Sequence, residues 1–255
     1  MPSKDIQLEL RRWFNGTGLP LEISVARSLF QAGFGTLHSA VYLDPEAEKG
    51  REIDVLAYKT DPSGCFRAFI VVECKASDKP WIVLTNRHQY GEHTALSLSL
   101  MSQRARHSRG DEIFESLEAF NSVFGRSNGG YALKQAFSGQ NDQAYVACMS
   151  ALKASVALVS RQNDDLSFAF PVIVVDSPIY EYSESEVGEQ VFKEVTSSFF
   201  EFSAYLDTHV RTLIRVVSKE AIEKHALQAR AIAGKYEEIY SGEISRLLSA
   251  SGIKR

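Results

Sequence analysis

Two acids and a lysine in the stretch Arg51–Ser77, REIDVLAYKTDPSGCFRAFIVVECKAS, are spaced so that they could do chemistry together. Asp54 interrupts an apolar segment, and Glu73 and Lys75 end another. In an extended chain side chains alternate in direction, so Asp54, Leu56 and Tyr58 share a face, as do Phe69, Val71, Glu73 and Lys75. Between the segments stands Asp61-Pro62-Ser63-Gly64, where Pro presets φ at the second turn position and Gly suits the fourth. A turn centred between Ser63 and Gly64 sets Asp54 opposite Glu73, and a one-residue bulge would shift that pairing. Two carboxylates side by side repel, and a cation between them removes the cost. The alternative is plain: Lys75 neutralises one acid on a solvated face.

The flanking segments must hold this hairpin. Leu21–Ala32 has helical apolar spacing through Leu21, Val25, Leu29 and Phe30, and Gly33 stops it. Glu22 borders the buried side of that helix. An acid in a first turn also simply favours the helix dipole. Glu9 is a weaker rival for the same role. His38–Asp44 reads as a first strand, and PEAEKG turns the chain into the Asp54 strand. Arg51 beside that turn reads as a surface charge. Lys4–Phe14 reads as a short helix packing on the core through Ile6, Leu10, Trp13 and Phe14. Asp142–Ser160 is a helix rich in Ala, and Ser167–Asp176 a strand buried on both faces. Pro171 favours that strand's start or an edge, and Asp176 reads as a turn cap. Trp81 reads as a packing residue.

The 255 residues suffice for one large domain or a core with an added lobe. The balance of 44% hydrophobic and 24% charged residues is that of an ordinary globular chain. The apolar runs fall short of a bilayer span and the N-terminus lacks an apolar signal core, so a cytoplasmic location without membrane contact is expected. Cys65, Cys74 and Cys148 have no zinc or disulfide-framework spacing, and Cys74 should point into the core. A net charge of −4 argues against binding nucleic acid through bulk charge, but not against a local basic surface. Arg104, Arg106 and Arg109 in SQRARHSR supply one such run and are candidate phosphate contacts. Gly125–Lys134 reads as a basic, glycine-rich loop without the spacing of a nucleotide phosphate loop. Past Pro178, Ser198–Tyr205 carries three aromatics, Arg211–Val217 reads as a strand and Lys219–Tyr240 as a helix. This part could extend the sheet, shape a groove or build a dimer contact.

Asp54 followed by Glu73-Cys74-Lys75 at the end of an apolar strand resembles the PD-(D/E)XK nuclease superfamily, over roughly Leu19 to Asp176. Ile53 stands where the family name has proline. The resemblance implies an α/β (α+β) fold with a restriction-endonuclease-like core: a central mixed sheet flanked by helices in the order αβββαβ. The core would occupy residues 1–180, and residues 181–255 would form a C-terminal extension packed on the same domain. It implies a metal-dependent endodeoxyribonuclease, by analogy one serving restriction or anti-phage defence. Asp54 and Glu73 would bind Mg²⁺ or Mn²⁺ with the Cys74 carbonyl, and Glu22 would reach the metal through water. Lys75 would position or deprotonate the attacking water. Gln89 is a candidate for contacting substrate. The implied partners are DNA, a second copy in a homodimer and a further subunit of a defence system. A junction resolvase, a repair exonuclease or an RNA-cutting enzyme fits the same residues. The alternative of another class is a non-catalytic module binding nucleic acid or protein.

Overall fold

The computed structural model describes residues 4–44, 46–86, 99–108, 129–139, 142–161 and 165–251. The central hairpin forms as its residue types dictate. β2 (Lys49–Thr60) and β3 (Phe66–Lys75) pair antiparallel, with Val55 opposite Val72 and Leu56 opposite Val71. That is the register set by the Asp61–Gly64 turn. Gly64 takes φ +76° there, a conformation glycine adopts without steric cost. β1 (Gly35–Asp44) pairs antiparallel with β2 and completes a three-stranded meander.

Ahead of the meander lie α1 (Lys4–Asn15) and α2 (Leu19–Gln31). Between β3 and the next long helix come β4 (Trp81–Thr85), β5 (Leu100–Met101), α3 (Gln103–His107) and β6 (Gly130–Gln135). α4 (Gln143–Ser160), capped by the Asp142 carboxylate on Tyr145 N–H, leads to β7 (Leu166–Val175). β7 runs parallel to β3 along its whole length, from Phe66 opposite Leu166 to Lys75 opposite Val175. β8 (Ile179–Glu184), β9 (Gln190–Val195), β10 (Ser197–Tyr205) and β11 (His209–Ser218) follow, then α5 (Ile222–Ile239) and α6 (Ser241–Ser251). The protein is therefore α/β, with a mixed sheet flanked by helices. The strand order is β1-β2-β3-β7-β11-β10-β6-β4-β8-β9, with β5 beside β7.

Each face of the sheet buries its own apolar set. On one face α2 and α5 pack Leu21, Val25, Leu29, Ala226 and Tyr236 against Val55, Ile70, Val72 and Val174. On the other face α4 places Leu152 over Leu56, Phe69 and Val71, and Cys148 beside Trp81, Phe200 and Ile214. Each large side chain buried in this way contributes about 1.5–3 kcal/mol. By length and composition α4 could cross a membrane, contrary to the expectation of no such run, but 44% of it is buried in the protein. The chain beyond residue 181 inserts β11 directly beside β7, so it extends the sheet rather than standing apart.

Four local expectations need correction. α1 forms, but Trp13 is 63% exposed and Ile6 and Leu10 are also exposed, so its apolar stripe does not enter the core. Phe30 points outward, and Ala26 occupies the buried stripe instead. Residues 130–134 of the supposed loop belong to strand β6, and a Cβ at Gly130 would collide with Val83 and Phe200. Pro171 lies in the middle of an interior strand. On that side β7 pairs β5 through Phe168 and Ala169, then β11 from Val172 onward. Its missing N–H falls where one neighbour ends and the other has yet to begin.

Candidate active site

The meander delivers Asp54 to a place where the sheet opens. The β2–β3 ladder begins at Val55 and Val72, leaving Asp54 and Glu73 just beyond it as facing residues. The β1–β2 ladder omits the facing residues Ser39 and Asp54. Ser39 has φ +52°, the left-handed region that non-glycine residues enter at a cost of about 1–3 kcal/mol. Strict alternation fails at the same level: Ile53 and Leu56 are three apart yet pack into one cluster, while Val55 packs on the opposite face. Asp54 thus leaves the regular ladder on both sides. Its Oδ2 instead accepts from Cys74 N–H at 2.7 Å. An extended residue carries N–H and C=O to the same side, so the Cys74 carbonyl faces the same gap.

Glu73 accepts from Lys75 Nζ at 2.6 Å, and both side chains are mostly buried. The ion pair lowers the Glu73 pKa, yet burial and the charges of Asp54 and Glu22 outweigh it and hold that carboxyl above its ordinary range. Burial also raises Asp54, against the Cys74 N–H bond and the Lys75 charge. Glu22, half-buried on the first turn of α2, is raised by burial and then by Asp54 and Glu52. A helix dipole acting alone would lower it. Three carboxyls from α2, β2 and β3 therefore share one electrostatic neighbourhood. The Cys74 thiol packs into the core, and burial drives its pKa upward.

The remaining sequence-derived candidates lie elsewhere. Arg104 is bound to Glu243 of α6 through Nε at 3.2 Å and Nη2 at 3.0 Å. Arg106 is exposed on the same short helix. That helix is anchored by Ser102 N–H on the Ser167 carbonyl, at the start of β7. Glu73 and Lys75 face Ile173 and Val175 near its other end, a separation of about 20 Å at the rise of a strand. The structure does not bring these arginines to the acids. Gln89 and Arg109 lie outside the described residues. Glu9 is exposed on α1. Asp176 accepts from Ser77 N–H at 3.0 Å and so ties down the segment after Lys75. Arg51 lies 3.7 Å from Asp44.

Sequence reasoning missed four members of this neighbourhood. His38 and Glu52 both act on the Glu22 charge. Tyr42 is buried within range of Glu73. Ser39 stands opposite Asp54. His38 and Tyr42 carried a signal, as polar side chains in an alternating strand beside the motif. Ser39 carried none, since serine does not announce a left-handed backbone.

The donor set suits a hard divalent cation: two carboxylates and a main-chain carbonyl at one gap, all oxygen, with excess negative charge that burial makes costly. Among the described residues no group of three or more His, Cys, Asp or Glu side chains is gathered tightly enough to hold a metal. Comparison with known proteins gives no match: no family model, no curated protein and no solved structure aligns with the chain.

Proposed function

We propose that the protein is a metal-dependent phosphodiesterase with a restriction-endonuclease-like core, cutting DNA internally. The observation that carries this reading is the convergence of Glu22, Asp54 and Glu73, all with raised pKa values, beside Lys75 where the sheet opens. The order of elements supports it: a helix, a three-stranded meander and, after the interposed β4, β5, α3 and β6, a helix and a strand parallel to the third. Asp54, Glu73 and the Cys74 carbonyl would hold Mg²⁺ or Mn²⁺. When bound, such an ion supplies positive charge to the scissile phosphate and lowers the pKa of water.

The chain's own residues do the rest. Cys74 N–H fixes one oxygen of Asp54 and leaves the other free to turn to the gap. Lys75, already at Glu73, aligns the attacking water and offsets negative charge as the phosphorus becomes five-coordinate. Glu22, uphill in pKa, accepts a hydrogen bond from that water and restricts its orientation.

A second reading has its own support. Glu73 is satisfied by Lys75 and Asp54 by Cys74 N–H, which is what a purely structural polar cluster in a binding module would show. One experiment separates the two: supercoiled plasmid, linear duplex, single-stranded, branched and RNA substrates, each with Mg²⁺, Mn²⁺ or EDTA. The nuclease reading expects metal-dependent cutting of DNA that falls about 100-fold or more in Asp54→Asn and Glu73→Gln. Binding without cutting under every condition would support the module instead.

A further inference from the structure

Where β7 changes neighbours the sheet splits, and the split encloses a second polar feature. β5 leaves β7 at Ala169, and β11 joins it only from Arg215 opposite Val172. Between them Pro171 offers no N–H. The first half of β11 therefore stands off from β7, and α5 crosses behind the gap. The result is a partly open cavity of about 50 Å³. At about 10–15 Å³ for each water-sized group, it has room for a molecule of a few heavy atoms.

The walls are mostly apolar, with Ile70, Pro171, Val172 and Ile232 among them. His225 of α5 lines the same space and is only 6% exposed, yet neither ring nitrogen has a hydrogen-bond partner among the described residues. A buried imidazole left in this way has lost its hydrogen bonds to water, and a group that accepts from its N–H restores one of them. Arg215 forms another wall, its guanidinium 5.9 Å from the Phe199 ring centroid.

We propose that this slot is a binding site for a short-chain monocarboxylate of two or three carbons. The carboxylate accepts from the His225 N–H in the field of Arg215, and the alkyl chain lies on the apolar wall. Burial and the Arg215 charge keep His225 neutral, with its pKa down at about 3, so one ring nitrogen donates and the other accepts. A single charge with an apolar tail matches a cavity whose lining is mostly apolar and includes His225 and Arg215. Phosphate, with more charge and no apolar surface, would leave oxygens desolvated against Ile70 and Ile232. The acid cluster is a separate feature: Ile70 lies on the α5 face of β3, whereas Glu73 lies beyond the hairpin ladder.

The test titrates the full chain with acetate, propionate and butyrate at constant ionic strength, with inorganic phosphate as control. Thermal melting and the His225 ring ¹⁵N resonances are followed together. The proposal expects a saturable rise in Tm with acetate or propionate, a weaker one with butyrate, and a concurrent shift of the His225 nitrogens. Affinity should fall at least tenfold in His225→Phe and in Ala229→Leu, which fills the slot without touching a polar group. Unmoved His225 resonances would mean that water alone completes the ring, and would overturn the proposal. So would an equal response to phosphate, or full affinity in Ala229→Leu. Should His225→Phe fail to fold, Ala229→Leu and the resonances of the native chain decide.

Discussion

Asp54, midway along β2, and Asp61, just past its end, are half-buried and buried acids, and they behave in opposite ways. Asp61 is saturated. It accepts from Ser63 N–H at 3.0 Å, Phe66 N–H at 2.8 Å and the Ser63 hydroxyl, and these bonds pull its carboxyl below the usual range despite burial. Asp54 accepts one main-chain bond, and burial carries it upward. The same division runs across the described residues. Asp44, Asp142 and Glu243 are lowered, and each caps a turn or helix or is held by Lys153, Lys134 or Arg104. Glu22, Asp54 and Glu73 are raised, and the Asp54 charge acts on both of the others near the open end of the central hairpin. Acids that hold the fold have their bonds already made, whereas the acids of the candidate site keep charge in reserve.

The widest separation between the two classes should appear in stability. Asp61→Ala strips the acceptor from two main-chain N–H groups in a buried turn and should lose about 2–3 kcal/mol in urea denaturation. Asp54→Asn keeps an acceptor for Cys74 N–H and removes the charge that burial penalises, so its stability should match or exceed that of the native chain. An Asp54→Asn variant as damaged as Asp61→Ala would erase the distinction.

The pH dependence should then differ in sign. Asp61, lowered by folding, contributes stability above its unfolded pKa of about 4, which is lost as pH falls through the folded value. The destabilisation in Asp61→Asn should therefore be largest near neutrality and shrink on acidification. Asp54, raised by folding, contributes stability below about pH 4 that is lost as pH rises through the folded value. Asp54→Asn should therefore gain on the native chain between pH 3 and pH 7. Denaturation midpoints across that range measure both.

A smaller effect sharpens the local geometry. Ser39→Gly should stabilise the protein by about 1 kcal/mol, since the left-handed backbone opposite Asp54 then carries no Cβ penalty. A loss of stability would mean that Ser39 holds its conformation through its side chain.

Much of the hairpin was legible because two short-range rules agree. The Pro-Gly turn and the alternation of apolar residues both imply the register that Val55 and Val72 adopt. The helix over Asp142–Ser160 and the strand at Ser167–Asp176 followed from periodicity and apolar run length. What escaped depends on partners far along the chain. Pro171 is tolerated mid-strand because β5 and β11 divide its neighbour's place, an arrangement no local pattern signals. The ion pair of Arg104, a candidate phosphate contact by sequence, was equally hidden, since its partner Glu243 is 139 residues away. The break in alternation at Asp54 was also hidden, since it arises from the paired interruption with Ser39 on another strand.

The central claim is that the raised acids form a site held ready for a cation. Its most direct test is the unfolding free energy of the native chain and of Asp54→Asn, each with and without Mn²⁺. The account predicts that saturating Mn²⁺, at about 100 times its dissociation constant, stabilises the native chain by about 2.7 kcal/mol and leaves Asp54→Asn unchanged. A native chain indifferent to Mn²⁺, or an equal gain in Asp54→Asn, would contradict it.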